Sequence, residues 1–309
     1  MYSRFWLTPI ALVLVTLLAG GCGKQSPSDT AAIGTADNPI KMAMVPSLDT
    51  QKLVTDGAKL AQLLEKETGL KYEVTVPTSY TAVITAMGAG NVDVGWLSPI
   101  PYVIAHDKYG VEVVLTTVRD ESAKYWSFII VRTDSGINKL ADLKGKRFAF
   151  GDPLSTSGTI YAKHLFRTNG YDPAMFFSNV IYAGSHDRVV VSVYNKQVDA
   201  GAIYGGVKDD ARSKVLKALP DVNSKTRVIA KSMDIPNDTV SVRKGLPPAI
   251  TKKIADGLLK IAKSKEGQDA IFNLYGIDGF VAAKDSDYES VRTVARAEDI
   301  KFEQVKGIK

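Results

Sequence analysis

The sequence predicts an α/β protein with mixed sheets, on three observations. Strand-like and helix-like apolar patterns alternate along the chain from residue 40 onward. Two distant seventeen-residue stretches align without a gap. Behind a short polar segment lie about 270 patterned residues, enough for one large core or for two lobes.

The elements follow in order. "IKMAMVP", from Ile40, reads as a strand. "TQKLVTDGAKLAQLLEKETG" places Leu53, Leu60, Ala61 and Leu64 on one helical face and stops at Gly69. "KYEVTV" alternates as a half-buried strand does. "SYTAVITAMGAGNVDVG" from Ser79 then pairs with "SHDRVVVSVYNKQVDAG" from Ser185, matching Ser79 to Ser185, Val83 to Val189, Val92 to Val198, Asp93 to Asp199 and Gly95 to Gly201. Each copy reads as a serine N-cap, a short helix, a turn and a strand that starts at "VD". Coincidence among α/β sequences is one account of the match. Two similar lobes, each presenting a helix N-terminus to a shared cleft, is the other. Helix N-termini carry unpaired amides and partial positive charge, so two of them would grip an anion from both sides. Tyr80 and His186, each next to its serine, would be the first side chains at that cleft.

Between the copies, "GDPLSTSGTI" gathers Ser155, Thr156 and Ser157 between the strand-like "RFAF" and the helix-like "TIYAKHLF". Three uses fit such a run: a nucleophile, an anion cradle, or plain turn capping. One hydroxyl suffices for a cap. A nucleophile elbow needs Gly-x-Ser-x-Gly and a P-loop ends in Gly-Lys-Ser/Thr, and neither spacing is present. His106 and His164 fall inside helix-like segments, and His186 has no acid positioned behind it. No His/Cys/Asp/Glu set has metal-ligand spacing. The sequence therefore holds no catalytic constellation, and it calls for no metal and no cofactor.

The N-terminus reads "MYSRFWLTPIALVLVTLLAGGC": one arginine, an apolar run from Phe5 to Leu18, then small residues. The run is short for a bilayer span, which takes about 20 residues, and has the layout of a secretory signal over residues 1–21. "LAGGC" resembles a bacterial lipobox with its leucine one place further from the cysteine than usual. Cys22 is the chain's single cysteine, so it has no disulfide partner and reads as the lipidated residue. Residues 22–39, small and polar, read as a flexible tether. The chain carries 39 Lys and Arg against 33 Asp and Glu, a formal +6. Mild basicity suits an anionic small molecule or membrane surface. No Lys/Arg cluster is interleaved with aromatics, so nucleic acid is excluded as a partner.

At these residues a resemblance emerges. "KYWSFIIVRTDSGINKLADLKGKRFAFGDPLSTSG", "VIYAGSHDRVVVSVYNKQVDAG" and "IPNDTVSVRK" resemble the periplasmic phosphonate/phosphite-binding proteins of ABC importers, in order, over nearly all of residues 40–280. The resemblance implies a two-lobed type II periplasmic binding protein fold with the ligand cleft between the lobes. Lobe one would take residues 40–132 and 240–309 and lobe two residues 133–239, joined by two strand-like crossovers. It places oxyanion contacts on Tyr80, Tyr125, Ser155, Thr156 and His186, with Ser157 adjacent, and a carboxylate at Asp238. Hydroxyls donate to unprotonated oxygens, while Asp238 can only accept; an unpaired buried carboxylate there would select a ligand bearing a P–OH proton over sulfate. Members that take aminoalkylphosphonates have an acid shortly after the "VD" strand start. Here "AGAIYGG" follows Asp199 and the next acid is Asp209, with Tyr204 as a bulky pocket wall. The resemblance thus implies a small phosphorus oxyanion without an amine, phosphite first and methylphosphonate second. The chain would be a monomeric lipoprotein on the extracytoplasmic face of a bacterial membrane, serving an ABC permease. A module reporting to a membrane sensor is the alternative, and an exported phosphoester hydrolase a more distant one.

Lipidation at Cys22 has a direct test. Cys22→Ala should abolish lipid-dependent processing and move the protein out of the detergent phase on Triton X-114 partitioning; unchanged partitioning would remove the anchor from the account.

Overall fold

The computed structural model describes residues 32–300, so the leader, Cys22, most of the expected tether and the last nine residues lie outside the described residues. Two six-stranded sheets organise the rest. The first is built from β1 (Ile40–Met44), β2 (Tyr72–Thr75), β3 (Val94–Leu97), β4 (Glu112–Val118), β11 (Thr239–Val242) and β12 (Gly279–Ala282), in the order β12-β4-β11-β3-β1-β2. The second contains β5 (Lys124–Arg132), β6 (Arg147–Phe150), β7 (Asn179–Tyr182), β8 (Ala200–Gly205), β9 (Thr226–Lys231) and β10 (Ile235–Pro236), in the order β10-β5-β8-β6-β7 with β9 also on β5. Both sheets are mixed. β1 lies parallel to β2 and β3, and β6 parallel to β7 and β8, whereas β11 and β5 run antiparallel to their neighbours.

The helices follow the sequence pattern. α1 (Thr50–Thr68) buries Leu53, Leu60, Ala61 and Leu64 and ends on Gly69 at φ 71°, the left-handed cap a glycine adopts without strain. α2 (Tyr80–Gly88) and α3 (Pro99–Tyr109) follow in lobe one. α4 (Tyr161–Thr168), the single turn α5 (Pro173–Phe176), α6 (His186–Tyr194) and the short α7 (Val222–Lys225) belong to lobe two. α8 (Pro248–Ile261), α9 (Lys265–Tyr275) and α10 (Glu289–Ala297) complete the chain. Among the described residues no helix is long and apolar enough to cross a membrane.

The repeat is structural. Helix and strand recur as α2–β3 and α6–β8, and the two aspartates do the same job in each. Asp93 accepts the Lys41 amide at 2.9 Å and Asp199 accepts the Arg147 amide at 2.8 Å, each pinning the neighbouring strand. An arginine closes each pair: Arg243 on Asp93 and Arg147 on Asp199, both at 2.8 Å. These carboxylates tie the ends of neighbouring strands together and do not line the cleft cavity.

The chain crosses between lobes twice, between β4 and β5 and again between β10 and β11. The expected boundary after residue 132 is therefore displaced: β5 pairs with β8, β9 and β10 and belongs to lobe two from Lys124. Apolar alternation in "KYWSFIIVR" announces a strand but not which sheet receives it, because the partners are remote in sequence. The second crossover runs through 237–238, between β10 and β11, where the expected lobe boundary lay after residue 239. Apolar packing bridges the lobes as well, with Tyr80, Tyr102 and Val103 of lobe one sharing a core with Tyr125, Ile160 and Tyr161 of lobe two. A polar tie joins them at the far side. Glu298, just after α10 and with a side chain only 1% exposed, takes bonds from His164 at 3.3 Å and Arg167 at 3.0 Å of α4.

Candidate functional site

Between the lobes lies a cavity of ≈ 40 Å³. Tyr80, Tyr125, Ser155, Thr156, Ser157, His186, Tyr204 and Asp238, the eight pocket positions expected from sequence, all line it. Contributions come from three helix starts, two strands and a crossover, so no local segment could form the site.

The hydroxyl run follows β6 and opens α4 through a wide turn, Thr156–Ile160, with π-type bonding. Ser155 caps this turn: its Oγ accepts the Gly158 amide at 3.1 Å, which leaves its O–H to donate elsewhere. Thr156 reaches across the cleft, its Oγ1 accepting the Ile100 amide of α3 at 2.9 Å, and its O–H is likewise left over. The amides of Thr156 and Ser157 sit at the first positions of the turn, where no upstream carbonyl is available to them. Gly158 is required by space. A Cβ there would lie 2.8 Å from Ser155 Oγ and 2.9 Å from the His186 ring.

His186 opens α6. Its Nδ1 accepts the Tyr204 amide at 3.2 Å, and its ring meets the Tyr204 ring edge-on at 5.1 Å. That bond assigns the remaining proton to Nε2. Burial, reinforced by the charge of Arg119, lowers the imidazole pKa to about 3. At neutral pH His186 is a neutral donor. The phenols around it stay protonated too: Tyr80 and Tyr125 are both raised by burial first, then by the charges of Asp152 and Asp238 respectively, and Tyr204 by burial and Asp209. Ser155 and Ser157 stand within bonding reach of the Tyr80 and Tyr125 phenols.

Two details depart from expectation. The helix amides at the cleft are engaged between the lobes: Tyr80 N–H meets Asp152 at 3.4 Å and His186 N–H donates to Ser47 O at 3.0 Å. The helix starts therefore join lobe to lobe and present side chains to the cavity. Asp238 is also not an isolated carboxylate. Arg119 Nη2 donates to its Oδ2 at 2.6 Å, with side chains 12% and 25% exposed. Rejection of sulfate by an unpaired carboxylate does not follow from this geometry.

Sequence reasoning missed Arg119, along with Ser47, Ser98, Thr117, Trp96 and Tyr275, all of which line the cavity. Thr117 and Arg119 lie two apart at the end of β4 and so share a face, a signal that alternation could have supplied had the strand's position at the cleft been known. Three buried hydroxyls of this wall, Ser98 Oγ, Thr117 Oγ1 and Tyr204 OH, have no hydrogen-bond partner. Such groups are costly to bury unless something else accepts from them. Hydroxyl, imidazole and guanidinium donors surround the space, the one facing carboxylate is already paired, and the arrangement suits a small anion.

Comparisons with known proteins agree. The family model described as "ABC transporter, phosphonate, periplasmic substrate-binding protein" matches residues 42–288, and the chain belongs to that family. It is 29% identical over 275 residues to the phosphonates-binding periplasmic protein of Escherichia coli K12, covering 87% of this chain and 78% of that one. It is 28% identical over 307 residues to the phosphate-import protein PhnD of Mycolicibacterium smegmatis, covering 92% and 93%. Among solved structures, the binding-protein component of a phosphonate ABC transporter from Pseudomonas aeruginosa superposes with a TM-score of 0.76 at 25% identity, covering 84% and 86%.

Two measurements test the site. Tyr204→Phe removes a buried hydroxyl without a partner, so the ligand-free protein should be as stable as wild type or up to about 1 kcal/mol more so; oxyanion affinity should fall about tenfold, a matching loss by calorimetry identifying the hydroxyl as a donor. His186 should contribute to acid stability. Its folded pKa lies below the unfolded value of ~6.5, so the unfolded chain binds the extra proton between the two values and the contribution of neutral His186 is lost as pH falls through that window. At pH 5 this amounts to about 2 kcal/mol. His186→Gln should flatten the dependence of melting temperature on pH between 6.5 and 4; an unchanged slope would show that the ring is not held neutral.

Proposed function

We propose that this member of the phosphonate-binding family captures phosphite, with methylphosphonate second, and hands it to the permease of an ABC importer. Cys22 would hold it by lipid to the extracytoplasmic face of the membrane as a monomer. The observation that carries this reading is the ≈ 40 Å³ cavity, ringed by hydroxyls from both lobes with His186 neutral and Asp238 compensated. A three-oxygen phosphorus headgroup suits that space. The donors would take its unprotonated oxygens, and Asp238 Oδ1, not the oxygen bound by Arg119, would accept a P–OH proton. Charge-assisted bonds of this kind, in a cavity screened from water, are the strong ones.

Orthophosphate belongs among the competitors, since one relative is named for phosphate import. A hydrolytic role is poorly supported: a base with a pKa of about 3 is largely ineffective at neutral pH. Reporting to a sensor in place of a permease would leave the site unchanged, and co-purification with a permease–ATPase complex separates the two.

Because the cavity is walled by both lobes, ligand contacts favour their closed arrangement. Calorimetric titration against phosphite, methylphosphonate, orthophosphate and sulfate should rank phosphite first. Small-angle scattering should show compaction at saturating phosphite. Tightest binding of sulfate, or no change in radius of gyration, would overturn the respective half of the proposal.

A further inference from the structure

Arg119 stands in a wall shared by two cavities. With Tyr125, Tyr204 and Tyr275 it lines both the inner space of ≈ 40 Å³ and an outer one of ≈ 540 Å³ that also touches Lys208, Asp209 and Lys214. Three contacts hold its head in place: Nη2 on Asp238 at 2.6 Å, Nε on the Tyr275 carbonyl at 3.2 Å, and its Cζ 5.8 Å from the centre of the Tyr125 ring. The backbones beneath are locked as well, since the Thr117 amide donates to the Asp238 carbonyl at 2.9 Å. Burial works against the guanidinium charge, yet the attraction and hydrogen bond of Asp238 more than offset it and Arg119 stays protonated.

A carboxylate facing a cavity otherwise lined with donors needs a positive partner. That partner can arrive with the ligand or be built into the protein. We propose that Arg119 is the residue that restricts this site to phosphorus oxyanions without an amine: its tethered guanidinium fills the place beside Asp238 that a ligand's ammonium would take, and its bulk closes the passage from the inner cavity to the outer one. The inference rests on the reading of the inner cavity as a phosphorus-oxyanion site. An aminoalkyl chain growing from the headgroup would meet two obstacles. The side chains of Arg119, Tyr125, Tyr204 and Tyr275, shared by both cavities, stand in its path, and its ammonium would face a fixed positive charge. The outer cavity carries Asp120, Glu121, Asp209 and Asp278 beside Lys208 and Lys214, so an ammonium that reached it would find acids there, and the obstacle lies at the Arg119 wall. Removing the guanidinium reverses both effects, opening the wall and freeing Asp238 to bind a cation.

The test is calorimetric titration of wild type, Arg119→Lys and Arg119→Gln with methylphosphonate and 2-aminoethylphosphonate, alongside thermal melts. Wild type and Arg119→Lys should prefer methylphosphonate, and in Arg119→Gln that preference should shrink by about tenfold or more through a gain for the amine. Methylammonium chloride should raise the melting temperature of Arg119→Gln relative to sodium chloride at equal ionic strength and leave wild type unmoved. Should the single variant fail to fold, Arg119→Gln/Asp238→Asn, which leaves no unpaired buried charge, carries the test: its preference for methylphosphonate should also shrink. A preference as large as wild type's in either variant overturns the inference. If wild type binds neither phosphonate, the oxyanion reading of the cavity is what fails, and the methylammonium shift still reports whether Arg119 occupies the cation position.

Discussion

A buried surplus of hydrogen-bond donors is the constraint on which this structure turns. Ser98, Thr117 and Tyr204 carry hydroxyls without a hydrogen-bond partner, and Ser155 and Thr156 accept from backbone amides, which leaves each O–H to donate elsewhere. Each such group costs free energy in the ligand-free protein that a bound acceptor would return. The neighbouring arrangement serves them. The wide turn at Thr156–Ile160 splays the hydroxyls, Gly158 keeps Cβ bulk away from Ser155 and His186, and the Tyr204 amide fixes the imidazole tautomer.

Closure of the lobes and assembly of the cavity are the same event in physical terms. Helix starts that could have offered amides to a ligand offer them across the cleft, His186 to Ser47 and Tyr80 to Asp152. Thr156 takes the Ile100 amide from the other lobe. These bonds exist only when the lobes meet. On the far side Glu298 joins α4 through His164 and Arg167, and Arg119 with Asp238 links the two crossovers. Opening must exchange the bonds of His186, Tyr80 and Thr156 across the cleft for water, which gives a ligand a defined two-state element to act upon.

The duplicated segment shows how one local plan serves two purposes. Asp93 and Asp199 repeat as strand clamps, each on a backbone amide and an arginine. Their serines have diverged: Ser79 Oγ accepts the Ala82 amide, while Ser185 makes no side-chain cap bond. The residues following those serines, Tyr80 and His186, both line the cavity.

Alternation of strands and helices, the α1 apolar face, the Gly69 stop and the hydroxyl run were legible because each rests on contacts a few residues apart or on one residue's backbone freedom. The eight pocket positions were legible through short motifs whose resemblance to a family had already encoded their convergence. Two things were not. The sheet that receives β5 depends on pairing with β8 and β9, some seventy to one hundred residues away. The pairing of Arg119 with Asp238 depends on two crossovers meeting side by side. Local patterning determines which segments form and which way a side chain alternates; the charge state and selectivity of the cavity are decided by which distant segments lie against each other, because electrostatic and hydrogen-bond partners act through space and not along the chain.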